Sequence, residues 1–209
     1  MRRGTALLGL TVLLAGCGKA NSKTVVLVVP TTPSSQAPFR SLYRVPSESM
    51  APTLTVGTRV VVRPSAPKVG DIVVFHPPEG AEQEECGPTP HVVRLGGAAC
   101  SEPLPTRSVV KFVKRIVAGP GDEIYVSEGH VYRKAVGTST FAREPDSYIR
   151  ACGMSPECNF PDLIRIPADH WFMLGDNRGE SDDSRFWGPV PTSWIVGVVQ
   201  LTTQAGTEE

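Results

Sequence analysis

The apolar residues of this chain come in short, valine-rich segments, and this spacing constrains the fold more than any other feature of the sequence. Examples are "TRVVVRP", "GDIVVFHP" and "WIVGVVQL". Such runs are too short for buried helices and are rich in β-branched residues, which is typical of strands. Glycines such as Gly57 and Gly70 lie between the runs and mark turns. The chain is therefore predicted to be mainly β.

The composition indicates a globular chain and gives no support to nucleic-acid binding. The 209 residues are 40% hydrophobic and 20% charged, which is enough for one domain with insertions or a domain plus a small lobe. The formal net charge is zero, and no basic stripe alternates with aromatic residues. We therefore expect no nucleic-acid partner.

The first residues, "MRRGTALLGLTVLLAGCGK", are typical of an export signal. Arg2 and Arg3 precede an apolar run over residues 6–15, which is about half of the roughly 20 residues that a membrane-spanning helix needs. The ending "LAGC" resembles the lipobox of bacterial lipoproteins, in which the peptide is cut before a cysteine that carries the lipid. The alternative is an ordinary signal with a chance cysteine. We expect residues 1–16 to be the signal, Cys17 to be lipidated, and the Pro/Ser/Thr-containing residues 17–38 to be a tether.

The remaining cysteines predict two disulfides. With Cys17 set aside, four of the five cysteines are left, an even number in an exported chain. Closeness in sequence pairs Cys86 with Cys100 and Cys152 with Cys158. Because no CxxC spacing occurs among them, no zinc or other metal site is predicted.

The order of the patterns along the chain indicates one β domain with two additions. The folded part begins near Phe39, and a polar, Gly/Pro-rich insertion covers residues 79–107. Two alternating runs in "DEIYVSEGHVYRK" surround Ser127, Glu128 and Gly129, which is typical of a hairpin. We expect residues 39–122 and 167–209 to form the main domain, and residues 123–166 a small inserted lobe.

The stretch "VPSESMAPTL" poses the question of what Ser49 does. A serine beside prolines is most often part of a turn. A nucleophilic serine needs a base, and the four histidines belong to no recognisable triad motif, which leaves a desolvated lysine as the other option. In the predicted strand "RSVVKFVKRIVA", alternation places Lys114 on one face with Val110, Phe112, Ile116 and Ala118, and it puts Lys111 and Arg115 on the opposite face. A lysine that only extends its head group to solvent is the simpler alternative.

Several segments in order resemble type I signal peptidases, membrane-bound serine endopeptidases that remove signal peptides from exported proteins with a Ser/Lys dyad. "VPSESMAPTL" resembles the nucleophile box, "GDIVVF" the next strand, "FVKRIVAGPGD" the lysine box and "GDNRGESDDSRFWG" the long signature near the end. The "CGMSPEC" spacing is similar to a disulfide found in some members. The resemblance covers residues 39 to about 200 and implies an antiparallel β-sheet catalytic domain with a small inserted lobe.

The resemblance also implies a role for each matching residue. Ser49 would be the nucleophile, Lys114 its general base, and Ser47 a hydroxyl donor to the oxyanion hole. The resemblance implies supporting roles for residues of the "GDNRGESDDSRFWG" segment. Ser181 would orient Lys114, Asp183 and Arg185 would form an ion pair that braces this segment, and the turn that presents it would be shaped by Asp176, Asn177 and Arg178.

The chain departs from the family in three respects. A short export signal stands where members usually carry one or two membrane-spanning helices, the 79–107 insertion is extra while the lobe is short, and Glu48 occupies a position where a small residue is common. We expect the Glu48 side chain to point outward, since a carboxylate near Lys114 would favour its charged form.

The resemblance implies preproteins with small residues before the cleavage site as substrates, and no cofactor. We expect a monomer at the membrane surface, lipid-anchored on the outer face of the bacterial cytoplasmic membrane or in the periplasm. Two alternatives remain at this point. One is a lipoprotein binding module that keeps the fold without turnover, and the other is a self-cleaving protein of the SOS-repressor type.

Overall fold

Strands dominate the computed structural model, which describes residues 7–11, 26–30, 40–89 and 91–201. The mainly β prediction is confirmed. In chain order the strands are β1 (Leu7–Thr11), β2 (Val26–Pro30), β3 (Ser41–Arg44), β4 (Arg59–Arg63), β5 (Ile72–Phe75), β6 (Glu85–Cys86), β7 (His91–Val92), β8 (Phe112–Ala118), β9 (Glu123–Ser127), β10 (His130–Lys134), β11 (Ala142–Arg143), β12 (Phe160–Arg165), β13 (His170–Leu174), β14 (Val190–Pro191) and β15 (Ile195–Gln200). The described helical elements are α1 (Ser184–Trp187) and the 3₁₀ turns Glu48–Met50, Ala81–Gln83, Pro156–Cys158, Arg178–Glu180 and Thr192–Trp194.

The N-terminal unit, residues 1–37, contains β1 and β2, which pair with each other antiparallel. The sequence interpretation did not anticipate β2, which falls inside the expected tether and follows from the β-propensity of its valine-rich run. Cys17 lies outside the described residues, so the export signal, tether and lipid stay predictions. Among the helices of the described residues, none has the length and apolar character needed to cross a bilayer.

Residues 38–209 form one compact unit built around a seven-stranded antiparallel sheet. The strand order is β14-β13-β8-β5-β15-β4-β3. At the centre of this order, β5 is buried at every position because its alternate residues enter two different hydrophobic clusters. Val73 and Phe75 belong to the larger cluster, and Ile72 and Val74 to the smaller. A strand covered on both faces must be apolar throughout, which explains the unbroken "IVVF".

A separate four-stranded sheet, of order β11-β10-β9-β12, is formed by residues 123–165. The hairpin of β9 and β10 turns at Glu128 and Gly129, whose φ angles are 53° and 81°. Positive φ at both central residues matches the twist of the flanking strands, and the predicted hairpin is confirmed. The division of the chain into a main domain and a lobe at residues 123–166 stays a prediction.

The insertion at residues 79–107 packs onto the segment that follows Ser181. The backbone N–H of Cys100 donates a 2.9 Å hydrogen bond to the carbonyl oxygen of Arg185. A Cβ at Gly188 would lie 2.6 Å from the carbonyl oxygen of Glu102, so only glycine permits this approach. The insertion therefore packs against the segment "GDNRGESDDSRFWG" near the end of the chain.

The fourth predicted strand, "RSVVKFVKRIVA", is shorter than expected. It begins at Phe112, which pairs with Phe75 at the end of β5, so β5 offers no partner to the residues before it. Val109 and Val110 are instead exposed, at 89% and 45%. The grouping of Val110 with the Lys114 face was wrong for this reason.

Candidate active site

Ser49 lies in the 3₁₀ turn between β3 and β4, and contacts on both sides hold it. The next residue, Met50, is fully buried in the smaller hydrophobic cluster and anchors the turn. The Ser47 hydroxyl donates to the Ser49 hydroxyl at 3.2 Å, and the Asn177 backbone N–H donates to the Ser49 carbonyl at 3.0 Å. The Glu48 side chain is exposed, as expected. Ser49 itself is only 8% exposed.

Lys114 lies in β8, opposite Val73 of β5, with its amine inside the protein. Its side chain donates a 2.9 Å hydrogen bond to the Ser181 hydroxyl. Burial lowers the pKa of Lys114 to about 8, against the charges of Asp183 and Asp182, which raise it. A lysine with this pKa carries a neutral amine in a substantial fraction of molecules just above neutral pH, which is the form that accepts a proton.

Ser49 and Lys114 line the same cleft, whose volume is about 390 Å³. Within the described residues no hydrogen bond joins the Ser49 hydroxyl to the Lys114 amine; the structure gives each of them a serine partner instead. Most of the wall is apolar and is contributed by Tyr43, Val45, Val60, Val74, Phe112 and Val113.

Gly175, directly after β13, lies between Ser49 and Ser181. A Cβ at this position would collide with the Ser181 hydroxyl on one side and with the Ser49 carbonyl oxygen on the other. Only a glycine allows the turn after β13 to pass between the two serines. Sequence reasoning did not single out this residue, although its place before "DN" in a long signature was a signal.

Asp183 and Arg185 form the predicted ion pair. The Arg185 guanidinium donates to the two Asp183 carboxylate oxygens at 2.8 and 2.9 Å, and it also donates to the Ser181 carbonyl oxygen at 3.0 Å. Burial raises the pKa of Asp183, but the Arg185 charge outweighs it and holds that pKa below its usual range. The Gly175 N–H also donates to Asp183, at 3.1 Å. The pair thus fixes the backbone on both sides of Ser181.

A second buried ion pair, which the sequence did not reveal, joins β8 to the turn after β13. Arg115 donates to the Asp176 carboxylate at 2.9 and 2.7 Å, and its guanidinium lies 3.9 Å from the centre of the Tyr148 ring. The prediction placed Arg115 on the face opposite Lys114 without giving it a partner. Arg178, also buried, donates to the Gly175 carbonyl at 2.8 Å and shapes the turn as expected.

The structure joins Cys86 to Cys100 and Cys152 to Cys158. The second disulfide lies close to the signature segment, because a Cβ at Gly179 would be 3.2 Å from the Cβ of Cys152. In the part of the chain that the structure describes, no three His, Cys, Asp or Glu side chains are grouped to hold a metal ion.

Asp182 is a further residue of the cleft that sequence reasoning missed. Burial, followed by the charge of Asp183, raises its pKa to about 7. The run "SDDS" carries no signal that separates this carboxylate from a solvated one, since both neighbours are polar.

Comparison with known proteins identifies the family. The family model described as "Signal peptidase, peptidase S26" matches residues 21–203. The probable signal peptidase I-1 of Synechocystis sp. is 35% identical over 159 residues, covering 73% of this chain and 65% of that protein. The signal peptidase I of Leptolyngbya laminosa is 33% identical, with coverage of 73% and 63%.

A plant relative is the probable thylakoidal processing peptidase 2, chloroplastic, of Arabidopsis thaliana, which is 35% identical and is covered over 35% of its length. The chain therefore spans less than two thirds of the length of these relatives. Because the family model matches most of the chain, this chain belongs to the signal peptidase family, peptidase S26.

Proposed function

We propose that this chain is a serine endopeptidase that cleaves signal peptides from exported preproteins, with Ser49 and Lys114 as its catalytic dyad. The observation that carries the proposal is the buried Lys114 amine, which lies in the same cleft as Ser49 and has a pKa of about 8. A buried lysine without a carboxylate hydrogen-bonded to it is costly for stability, so such a group at a cleft is a candidate for catalysis.

The reaction begins when substrate fills the cleft and the Ser49 side chain turns from Ser47 toward Lys114. Catalytic hydrogen bonds in a site without substrate are often long or absent and form in the substrate complex. The neutral amine then takes the hydroxyl proton as the oxygen attacks the scissile carbonyl carbon. The same turn frees the Ser47 hydroxyl, which together with the Ser49 N–H donates to the oxyanion.

The second half of the reaction uses the proton that Lys114 has gained. The ammonium group donates it to the leaving amine, the peptide bond breaks, and the signal peptide remains as an ester on Ser49. Lys114, neutral again, takes a proton from water as the water oxygen attacks the ester carbonyl. The bond to Ser49 then breaks, Lys114 returns the proton to the Ser49 oxygen, and the signal peptide leaves as the carboxylic acid. Ser181 keeps the amine in place through both steps.

The substrates are preproteins whose residues before the cut are small. Three valines, Val45, Val60 and Val74, contribute to the wall of the cleft that contains Ser49. Small side chains at the first and third positions before the cut suit such a surface. No cofactor takes part.

We also propose that the protein acts at the outer face of the cytoplasmic membrane or in the periplasm, held by lipid on Cys17. The support is the "LAGC" sequence alone, since Cys17 lies outside the described residues. Lipoprotein modification adds more than one acyl chain, and two chains anchor a protein stably where one is marginal. Mass spectrometry of the membrane fraction tests this; an unmodified Cys17 behind an intact Met1 would contradict it.

Two assays test the dyad. One measures cleavage of an Ala-X-Ala peptide, and the other incubates the protein with preproteins and sequences the new N-termini. Ser49→Ala and Lys114→Arg should each lower kcat by several orders of magnitude while the fold is kept, because arginine stays charged and cannot act as base. Lys68→Arg, at an exposed lysine, is the matched control. Retention of more than about a tenth of the activity in Lys114→Arg, a loss under roughly 1.4 kcal/mol, would show that another group is the base.

A further inference from the structure

Asp182 is a carboxylate in the cleft for which the proposed mechanism has no use. It borders the same cleft as Ser49 and Lys114. One of its oxygens, Oδ1, is enclosed by protein and has no hydrogen-bond partner, and no ion pair of the described residues includes Asp182. A buried carboxylate oxygen that accepts no hydrogen bond lowers the stability of the fold. Its presence in the cleft of Lys114 therefore suggests a functional role.

Three carboxylates raise the pKa of Lys114, and Asp182 differs from the other two. Asp183 and Asp176 each accept two hydrogen bonds from an arginine of their own, so an adjacent positive charge offsets each of them. Asp182 has no such partner in the described part of the chain. Among the charges that raise the pKa of Lys114, that of Asp182 therefore follows Asp183 in size and is the one without an arginine bound to it.

Asp182 also changes its own charge in the pH range in which the enzyme would work. After burial and Asp183, the charge of Glu84 raises its pKa, whereas Lys114 lowers it. The indole N–H of Trp187, which makes no hydrogen bond of good geometry, lies close enough to lower it as well. Glu84 belongs to the 79–107 insertion, so this extra segment contributes to the electrostatics of the cleft.

We propose that Asp182 is a positioning residue of the dyad whose carboxylate, enclosed beside Lys114 and unpaired, holds the proton on the amine and so sets the pH at which Lys114 becomes a base. The inference rests on the proposed function, because it assigns regulation to the same site. Above the pH at which Asp182 ionises, its negative charge favours the ammonium form of Lys114. Below that pH, Asp182 is neutral and has little effect.

The experiment compares kcat/KM against pH for the wild type and Asp182→Asn, with the Ala-X-Ala peptide and the full chain. Asparagine keeps the size and removes the charge. The variant should be about twofold faster near pH 7.5, which corresponds to lowering the pKa of Lys114 by roughly half a unit. The two profiles should coincide below about pH 6, where Asp182 is protonated, and at high pH, where both amines are neutral.

Asp162→Asn is the matched control, because it makes the same change at an exposed carboxylate that does not line this cleft. The pH midpoint of its activity rise should stay within about 0.2 unit of the wild-type midpoint, since solvent screens an exposed charge. Identical profiles for Asp182→Asn and wild type, or an Asp182→Asn variant that is slower at every pH, would overturn the inference. An equal shift in Asp162→Asn would do so as well.

A measurement without turnover separates this inference from the dyad. In a Ser49→Ala background, NMR of ¹³C-labelled lysine reports the titration of Lys114 directly, and Asp182→Asn should lower its midpoint by the same amount. A midpoint lowered by Asp182→Asn, together with a wild type that does not cleave the peptide, would support the electrostatic role and refute the proposed function. An unchanged midpoint, together with a wild type that cleaves the peptide, would refute only the role of Asp182.

Discussion

The amine of Lys114 and the hydroxyl of Ser181 are 67 residues apart in sequence and 2.9 Å apart in the structure. This contact is the only hydrogen bond of the Lys114 side chain in the described residues, so it alone fixes the direction of the amine. Arg185 holds the Ser181 backbone in turn. The position of the candidate base is thus set by a segment near the end of the chain.

Ser181→Ala should lower kcat by about 10- to 100-fold and leave KM nearly unchanged. Without the hydroxyl the amine has no fixed direction, and small misplacements of a catalytic group have effects of this size. Steady-state peptide cleavage measures both constants, and Ser139→Ala, at an exposed serine, is the control. A variant with wild-type kcat would show that Ser181 does not orient Lys114.

Lys114→Met should remove part of the pH dependence of stability. The folded-state pKa of Lys114, about 8, is below its unfolded value of 10.5, so the charged form is disfavoured by folding. This group therefore destabilises the fold fully below about pH 8, and the penalty disappears as pH rises toward 10.5. Between pH 7 and 10 it should contribute a gain in unfolding free energy of roughly 2 kcal/mol in the wild type.

The measurement is urea unfolding of wild type and Lys114→Met at a series of pH values. Groups that do not interact with Lys114 cancel in the difference, which leaves the titration of Lys114 and its coupling to Asp182 and Asp183. A difference in unfolding free energy that stays constant from pH 7 to 10 would mean that the amine titrates normally in the folded protein.

Gly175→Ala should be inactive or nearly so, and less stable by about 1 to 3 kcal/mol. The added methyl group collides with the Ser49 carbonyl and the Ser181 side chain, so at least one of the two serines must move. Gly179→Ala is a control from the same segment, because its added Cβ meets only Cys152, at 3.2 Å. Thermal unfolding and peptide cleavage test this; wild-type values for Gly175→Ala would exclude the close approach.

Non-reducing peptide mapping should recover Cys86 linked to Cys100 and Cys152 linked to Cys158. Each bridge is expected to contribute about 2 to 4 kcal/mol to stability in the chain-entropy model. The paired change Cys86→Ser with Cys100→Ser should therefore lower the melting temperature. Four free thiols in protein purified from an oxidising compartment would refute both bridges.

The strand pattern could be predicted from the sequence because it depends on local order, whereas the candidate dyad was implied by the resemblance to type I signal peptidases. Alternation with a period of two identifies a strand and assigns its faces, which is why the position of Lys114 beside Phe112 could be read from "KFVKRIVA". The hairpin at Glu128 and Gly129 could also be predicted from its local sequence. The first residue of β8 could not, since it depends on where the partner strand β5 ends.

The surroundings of the site were decided only by the tertiary structure. Asp176 and Arg115 are 61 residues apart, and nothing in either segment specifies that they pair. The same holds for Asp182, because nothing in "SDDS" distinguishes a carboxylate oxygen enclosed by protein from one exposed to solvent. Gly175 is required because two distant segments approach at one point. A pKa depends on every charge and apolar atom near the group, whatever its place in the chain, so the sequence indicated the candidate reacting groups and the fold determined their protonation.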